Sequence, residues 1–133
     1  MDELKPIVKA KTADKIVREA LRERADMATV EEVGEKIREY IRNATADGFV
    51  IKPQMMQLKT ESVRRCCAVG AVVTDVYPSD GLYFNASKRL SVTLEEVLDI
   101  AQGFDGKGIG GHNNPEFHGL GQQLRREVIE GTL

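Results

Sequence analysis

The sequence predicts an all-α, single-domain protein of about five helices, in which a charged N-terminal helical hairpin precedes a small helical core built around a buried Cys-Cys helix. Three observations predict this class. Apolar residues recur at helical spacing in four segments. Capping signals stand in front of three of those segments. The one apolar run with strand-like composition has no convincing second strand to pair with. The 133 residues fit one domain, 1–133, divided into a hairpin over 1–47 and a core over 48–133.

The hairpin carries two apolar stripes in a densely charged segment. Charged side chains make up 21 of the first 47 residues, against 19 of the remaining 86. Thr29 with Glu32 three residues later has capping-box spacing and predicts a helix start near Val30; Asp47-Gly48 ends the hairpin. This surface is either a solvated helix face or an arm that binds a partner. The stripes are Ala13, Ile16, Val17, Ala20 and Leu21, then Val30, Val33, Ile37, Tyr40, Ile41 and Ala44.

The densest apolar run extends from Cys66 to Val73. Periodicity does not separate helix from strand in so short a run, and its valines favour a strand. Because a lone strand is unstable and residues 60–62 offer capping side chains, we expect a central helix over 61–76. Residues 49–59 are expected to form a connector, 77–81 a turn, and 82–90 a segment with a short extended piece around Tyr83 and Phe84.

Two further helices have clear start signals. Thr93 with Glu96 repeats the capping-box spacing, and a stripe runs from Leu94 to Ala101. Asn114-Pro115 fits an N-cap followed by the first helical position. The apolar face of the last helix comprises Phe117, Leu120, Gly121, Leu124 and Val128.

The segment Cys66-Cys67-Ala68-Val69-Gly70-Ala71 resembles a group of small uncharacterised bacterial and phage proteins, in which Trp or Cys followed by Cys-Ala-x-Gly-Ala opens a buried helix. In that group a later helix leads into a turn similar to Gly103-Phe104-Asp105-Gly106, before a final amphipathic helix. The resemblance covers about residues 60–130. It implies a helical structure for the Cys66 segment, and the group has no established activity to transfer.

The residue types of a thiol hydrolase are present. A nucleophilic thiolate needs a base within hydrogen-bond reach and a group that orients this base. Both cysteines lie in an apolar run, where desolvation keeps a thiol protonated, so buried structural cysteines are the competing interpretation. Adjacent cysteines on a helix point about 100° apart, which disfavours a shared zinc ion, and we expect no metal. The catalytic candidates are Cys66, Cys67, His112 and His118.

The glycine-rich segment 103–118 is the best binding-site candidate in the sequence. Residues 105–116 begin with Asp and end with Glu as a calcium loop does, but Lys107 and Ile109 occupy ligand positions. A phosphate-binding loop is disfavoured because the Lys-Ser/Thr ending is missing. We therefore expect no cofactor and a loop that contacts a partner. The binding candidates are Asp105, Lys107, His112, Asn113 and Asn114.

Composition and charge narrow the function classes. The net charge of −2 argues against a large basic surface for binding nucleic acid. Three basic doublets would still form a local phosphate-binding patch if they converge on one face. No apolar run is long enough to span a bilayer, and the first six residues lack a signal-peptide pattern, so we expect a cytoplasmic protein. The preferred function is a non-catalytic interaction or accessory domain, whose partner is another protein or a second copy bound through the hairpin. A Cys-His hydrolase and a nucleic-acid-binding protein are the alternatives. The doublets are Arg64-Arg65, Lys88-Arg89 and Arg125-Arg126.

Overall fold

The computed structural model describes residues 27–54, 57–60, 62–77, 80–107 and 114–133. The predicted first helix of the hairpin, with its stripe over 13–21, lies outside these residues. The described part of the chain contains five helices and a three-stranded sheet. In chain order these are α1 (Val30–Ala46), β1 (Val50–Ile51), β2 (Gln57–Lys59), β3 (Arg64–Cys66), α2 (Ala68–Ala71), α3 (Leu82–Leu90), α4 (Leu94–Phe104) and α5 (Pro115–Glu130).

Helix α1 begins and ends where the sequence predicts. The Thr29 hydroxyl accepts from the Glu32 N–H at 3.2 Å, and the Glu32 carboxylate accepts from the Thr29 N–H at 2.8 Å, which completes the capping box. Asp47 is the C-cap, and Gly48 follows with a φ of +93°, a conformation that favours glycine. The buried face of α1 consists of Val33, Gly34, Ile37, Ile41 and Ala44.

A small sheet corrects the all-α prediction. Its strand order is β1-β3-β2, with β1 parallel and β2 antiparallel to β3. The β2–β3 pair is a hairpin, since Lys59 lies opposite Arg64 and the Thr60 N–H donates to the Val63 carbonyl. The Thr60 hydroxyl also accepts from the Val63 N–H at 3.0 Å. Thr60 and Val63, which flank the expected start of the central helix, therefore close a hairpin instead.

The central helix expected over 61–76 is also corrected. Cys66 ends β3, Cys67 is the N-cap of α2, and α2 lasts a single turn before Val72 and Val73 continue in turns. The run is nonetheless central, because Cys66, Val69 and Val73 are fully buried. The end of β3, the cap residue Cys67 and helix α2 lie in one continuous apolar run. Because the whole run is buried, its hydrophobic pattern does not show where the strand ends and the helix begins.

Helix α3 replaces the extended piece expected around Tyr83 and Phe84. It begins after Gly81, whose φ is +78°, and no side chain caps its N-terminus. Ser91 ends the helix in the left-handed conformation. The sequence carries no start signal here, which accounts for the wrong expectation.

The last two helices pack at unusually close range. A Cβ built on Gly103 of α4 would lie 2.1 Å from the His118 carbonyl oxygen, and one on Gly121 of α5 would lie 2.1 Å from the Ile100 carbonyl oxygen. Each helix therefore presents a glycine to the backbone of the other. The start signals of both helices are confirmed by the side-chain caps of Thr93 and Asn114.

One core lies between α1, the α2 segment and the α4–α5 pair. Its largest fully buried side chains include Ile37 from α1, Leu90 from α3, Ile100 and Phe104 from α4, and Leu124 from α5. Helix α1 contributes to the same core as the later helices. Residue 47 therefore marks a change in the frequency of charged residues and not a boundary between folding units.

Candidate functional site

Both cysteine side chains are buried. Cys66 is fully buried, and burial raises the pKa of its thiol to about 12. Burial is also the main cause that raises the pKa of Cys67 to about 11, with the Asp105 carboxylate adding to it and the Gly70 N–H opposing it. The Cys67 sulfur accepts from that N–H at 3.3 Å and so caps α2. At neutral pH both groups are protonated thiols, the inert form.

His118 is buried against the backbone. It is 4% exposed, and its Nε2 lies 2.8 Å from the Lys107 carbonyl oxygen. A carbonyl only accepts, so Nε2 carries the hydrogen and donates it. This bond ties α5 to the residues that follow α4, and the Lys107 N–H donates to the Gln102 carbonyl at 2.9 Å.

Two carboxylates of α4 hold the start of α5. Asp99 is fully buried, and its Oδ2 accepts from the Asn114 N–H at 2.9 Å. Glu96 lies one turn earlier and has its Oε2 3.5 Å from the Asn114 side-chain nitrogen. No donor in the described ranges reaches Asp99 Oδ1. Both carboxylates face the positive end of the α5 dipole, which favours negative charge at this position.

Asp105 is a binding candidate with a structural partner. It is the C-cap of α4, and its Oδ1 accepts from the Gln54 N–H at 2.6 Å. Its carbonyl accepts from the Gln54 side chain at 3.2 Å. Asp105 thus holds the connector after β1 against the end of α4. There its carboxylate also contributes to raising the pKa of the Cys67 thiol.

The structure brings together part of the predicted site. Lys107 and Asn114 are held at the base of the glycine-rich segment by His118 and Asp99 respectively. The catalytic candidate His112 and the binding candidate Asn113 lie outside the described residues. Across the described ranges, no group of three or more His, Cys, Asp or Glu side chains is arranged to hold a metal ion.

A second candidate surface is a groove between α1 and α5. Two hollows of about 320 and 440 Å³ open along it. The helices run in the same direction, because residues 30–38 share the first hollow with 116–123 and residues 41–45 share the second with 127–131. Glu31, Glu35, Arg38, Arg42 and Thr45 form one stripe of α1 at spacings of three and four. We call these two hollows together the α1–α5 groove.

The two hollows differ in chemistry. The first is lined by Val30 and Leu120 and by charged residues that include Glu31, Glu35 and Glu116. The second is chiefly apolar, and Val50 at its side is 50% exposed. Its apolar lining consists of Ile41, Phe49, Val50, Ile51, Val128 and Leu133.

A two-pronged ion pair separates the hollows. Arg38 Nε donates to Glu127 Oε1 at 2.8 Å, and Arg38 Nη2 donates to Oε2 at 2.9 Å. The side chains are 22% and 17% exposed. Hydrogen bonds from Arg38 hold the pKa of Glu127 below its ordinary value. Such a planar pair fixes the spacing of the two helices that form the groove.

Three cations of the basic doublets contact neighbouring groups of the protein. Arg89 pairs through both terminal nitrogens with Asp75, at 2.6 and 3.0 Å. Arg64 donates to the Asp47 carbonyl and lies 5.8 Å from the centroid of the Phe49 ring. Lys88 lies 4.4 Å from the centroid of a ring on its own helix. Phosphate binding would have to compete with these contacts.

Comparison with known proteins adds no relative. No family model, curated protein or solved structure matches the chain. The described helices include none that combines the length and apolarity required to cross a membrane.

Sequence reasoning missed the carboxylates of α4 and the groove. Asp99 lies beside the predicted apolar stripe of α4, and it is buried because α4 is covered on several sides. The stripe was also a poor guide to burial, since its first residue, Leu94, is 40% exposed. The Asn114-Pro115 signal could have suggested acidic partners, because helix N-termini attract carboxylates. The groove depends on how α1 and α5 are placed together, which neither helix encodes alone.

Proposed function

We propose that this protein is a non-catalytic interaction domain that binds an amphipathic helix of a partner protein in the α1–α5 groove. The observation that carries the proposal is the second hollow, where six apolar side chains line a space of about 440 Å³ that is open to solvent. A groove between two parallel helices accepts a third helix whose anchors recur at spacings of three and four residues.

The charged rim supports a specific complex rather than nonspecific adhesion. Glu31, Glu35 and Glu116 surround the first hollow, whereas Arg42 lines the second. A bound helix with basic residues at one end and apolar anchors at the other would match both hollows. Such charge complementarity sets the orientation and the partner choice.

The alternatives have less support. A hydrolase based on Cys66 or Cys67 needs a thiolate, and burial raises the pKa of both thiols to about 11 or 12. Nucleic-acid binding through the doublets would have to compete with the contacts that Arg64, Lys88 and Arg89 already make. A partner surface at the glycine-rich segment would include residues 108–113, which the structure does not describe, so the groove carries the proposal.

Origin and location belong to the same proposal. The resemblance of residues 66–71 to the small bacterial and phage proteins is the basis for proposing a bacterial or phage origin. Free cysteines at 66 and 67 fit a reducing compartment such as the cytoplasm.

The test uses a photo-crosslinking amino acid, benzoylphenylalanine, in the full chain. It is placed at Thr45 inside the groove or at Glu39, an exposed residue of the same helix outside the groove lining. After irradiation of cells that make each variant, we expect an identified protein attached through Thr45 and not through Glu39. The purified pair should bind at least tenfold more weakly when Val128 is changed to Gln. Equal attachment from both positions, or binding indifferent to Val128→Gln, contradicts the proposal.

A further inference from the structure

We infer that the α1–α5 groove binds its helix in one orientation, antiparallel to α1 and α5, and that Glu31, Glu116 and Arg42 select this orientation. The partner helix then has a defined chemistry. It carries an acidic residue in its first turn, apolar anchors along one face and basic residues in its last turn. The inference rests on the proposed function, because it concerns the helix that is bound in the groove.

Both helices of the groove begin at the first hollow and end at the second. Val30, the first residue of α1, lines the first hollow together with Glu116 from the first turn of α5. Thr45 from the last turn of α1 and Gly131, the C-cap of α5, line the second hollow. The two helix dipoles therefore point the same way, with their positive ends at the first hollow. A third helix is favoured when its own dipole runs in the opposite direction.

The second hollow lies at the negative ends of α1 and α5. Neither helix carries a basic residue in its last turn to balance this end. The start of a helix has free N–H groups and a positive dipole end, so the start of the incoming helix is favoured here. Arg42 is exposed and lines the same hollow, where it would pair with a carboxylate from that first turn.

The first hollow carries an excess of negative charge. Its charged lining residues are Glu31, Glu35, Glu116 and Arg38. Within the described ranges, the one ion pair of these carboxylates joins Glu35 to Arg38 at 3.7 Å, and Arg38 makes two shorter bonds to Glu127. Lys or Arg side chains of the incoming helix would supply the charge that this hollow lacks. The last turn of a helix is the place where such residues are favoured.

The middle of the groove is electrically neutral. The pair of Arg38 with Glu127 lies there, and its side chains are only 22% and 17% exposed. Charges on the incoming helix are therefore recognised at the two ends of the groove. A helix of about 15 residues is about 22 Å long, which equals the distance along α1 from Val30 to Thr45.

The experiment uses two synthetic peptides of about 15 residues and the full-length protein labelled with ¹⁵N. The first peptide has glutamates in its first turn, leucines along one face and lysines in its last turn, and the second has the same residues in reverse order. Both have blocked ends and are held helical by a hydrocarbon staple opposite the leucines, so their helix contents are equal. Chemical-shift titration of the protein amides gives each Kd.

The first peptide should bind at least threefold more tightly than the reversed one. The reversed peptide either matches the charges of the groove with its dipole parallel to α1, or opposes the dipoles with its charges mismatched. Equal affinities, or tighter binding of the reversed peptide, overturn the inference.

A nitroxide spin label on the first peptide measures the direction of binding. Attached to the C-terminal end, it should broaden the amide signals of Glu31 and Glu116. Attached to the N-terminal end, it should broaden those of Thr45 and Gly131. The opposite pattern, or the same broadening from both attachment sites, overturns the inference.

Matched double variants test the carboxylates of the first hollow. Glu31→Gln with Glu116→Gln should weaken binding of the first peptide at least threefold in low salt. The control, Glu39→Gln with Glu95→Gln, removes two exposed carboxylates outside the groove lining, one of them also in the first turn of a helix, and should leave the Kd unchanged. The difference should vanish in 1 M NaCl, where charges are screened within about 3 Å. Equal losses in both double variants, or a loss that persists in 1 M NaCl, contradict the inference.

Val128→Gln distinguishes the inference from the proposed function. It should weaken the binding of both peptides, since an apolar anchor is required in either direction. If the peptides bind equally and both depend on Val128, the orientation is wrong and the groove remains a helix-binding site. If neither peptide binds, or binding does not depend on Val128, the inference is overturned, and the proposed function is decided separately by the cellular crosslink from Thr45.

Discussion

The contact between α4 and α5 makes a sharp prediction about two glycines on one helix. A Cβ at Gly121 would lie 2.1 Å from the Ile100 carbonyl oxygen and 2.8 Å from the Phe104 nitrogen, both of which are backbone atoms. At Gly119, two residues earlier, nothing lies within 4 Å of the added atom. A glycine-to-alanine substitution therefore clashes with backbone atoms at position 121 and enters open space at position 119.

The magnitude follows from the geometry. A carbon and a carbonyl oxygen approach to about 3.3 Å, so a Cβ at 2.1 Å forces the helices apart by about 1.2 Å. A gap of that size removes about half of the attraction of each contact along the interface. Overpacking of this kind costs about 3 kcal/mol, and the better helix propensity of alanine returns about 1 kcal/mol. Gly121→Ala should lose about 2 kcal/mol, whereas Gly119→Ala should gain up to about 1 kcal/mol.

Thermal unfolding followed by circular dichroism measures both effects. At this chain length the expected change in Tm is roughly 6 to 12 °C downward for Gly121→Ala, with a rise of a few degrees for Gly119→Ala. Gly103→Ala should behave like Gly121→Ala, because its Cβ would lie 2.1 Å from the His118 carbonyl oxygen. Shifts of the same sign and size at 119 and 121 would refute the close backbone contact.

Three further predictions follow from single contacts. Cys66 and Cys67 should react with a thiol reagent at pH 8 only on unfolding, because burial raises the pKa of both; rapid labelling of native protein would contradict this. Glu127→Gln should cost about 1 to 2 kcal/mol at pH 7 by weakening the bonds from Arg38. The folded pKa of Glu127 is lowered, so its stabilisation is present above the unfolded pKa and is lost as pH falls through the folded value. The wild-type advantage over Glu127→Gln in urea titrations should therefore shrink from pH 6 to pH 3, and a constant gap would argue against the pair. Thr93→Ala should cost about 1 kcal/mol by removing the cap of α4, with Thr93→Ser close to wild type in the same titration.

The starts of α1, α4 and α5 were predictable because capping residues in the sequence mark them. Thr29 and Thr93 each satisfy a free N–H of the following turn, and this chemistry is readable three residues away. Asn114 before Pro115 is equally local. These signals work because the interaction that starts the helix lies within the segment that displays it.

The sheet was missed because its strands are too short to show a period. β1 has two residues and β2 and β3 have three each, and they pair across separations that no local pattern records. The Cys66 run was assigned to a helix because no partner strand was visible. Its true partners, Val50 with Ile51 and Gln57 to Lys59, lay in the segment interpreted as a connector.

The sequence pointed to residues of the glycine-rich segment but not to the groove. Sequence chemistry singled out Asn114 and Lys107 as binding candidates, and the structure adds the residues that contact them, namely Asp99 and His118. The groove combines a stripe of α1 with a stripe of α5 that lies some eighty residues later in the chain. Only the packing of the two helices brings these stripes together.

The photo-crosslink from Thr45, compared with that from Glu39, decides whether the α1–α5 groove binds a partner. If the α1–α5 groove is the binding surface, partner protein is captured from Thr45 and not from Glu39, and Val128→Gln weakens binding of the purified partner at least tenfold. Capture from both positions in equal yield, or an affinity unaffected by Val128→Gln, would contradict the assignment of the groove as the functional site.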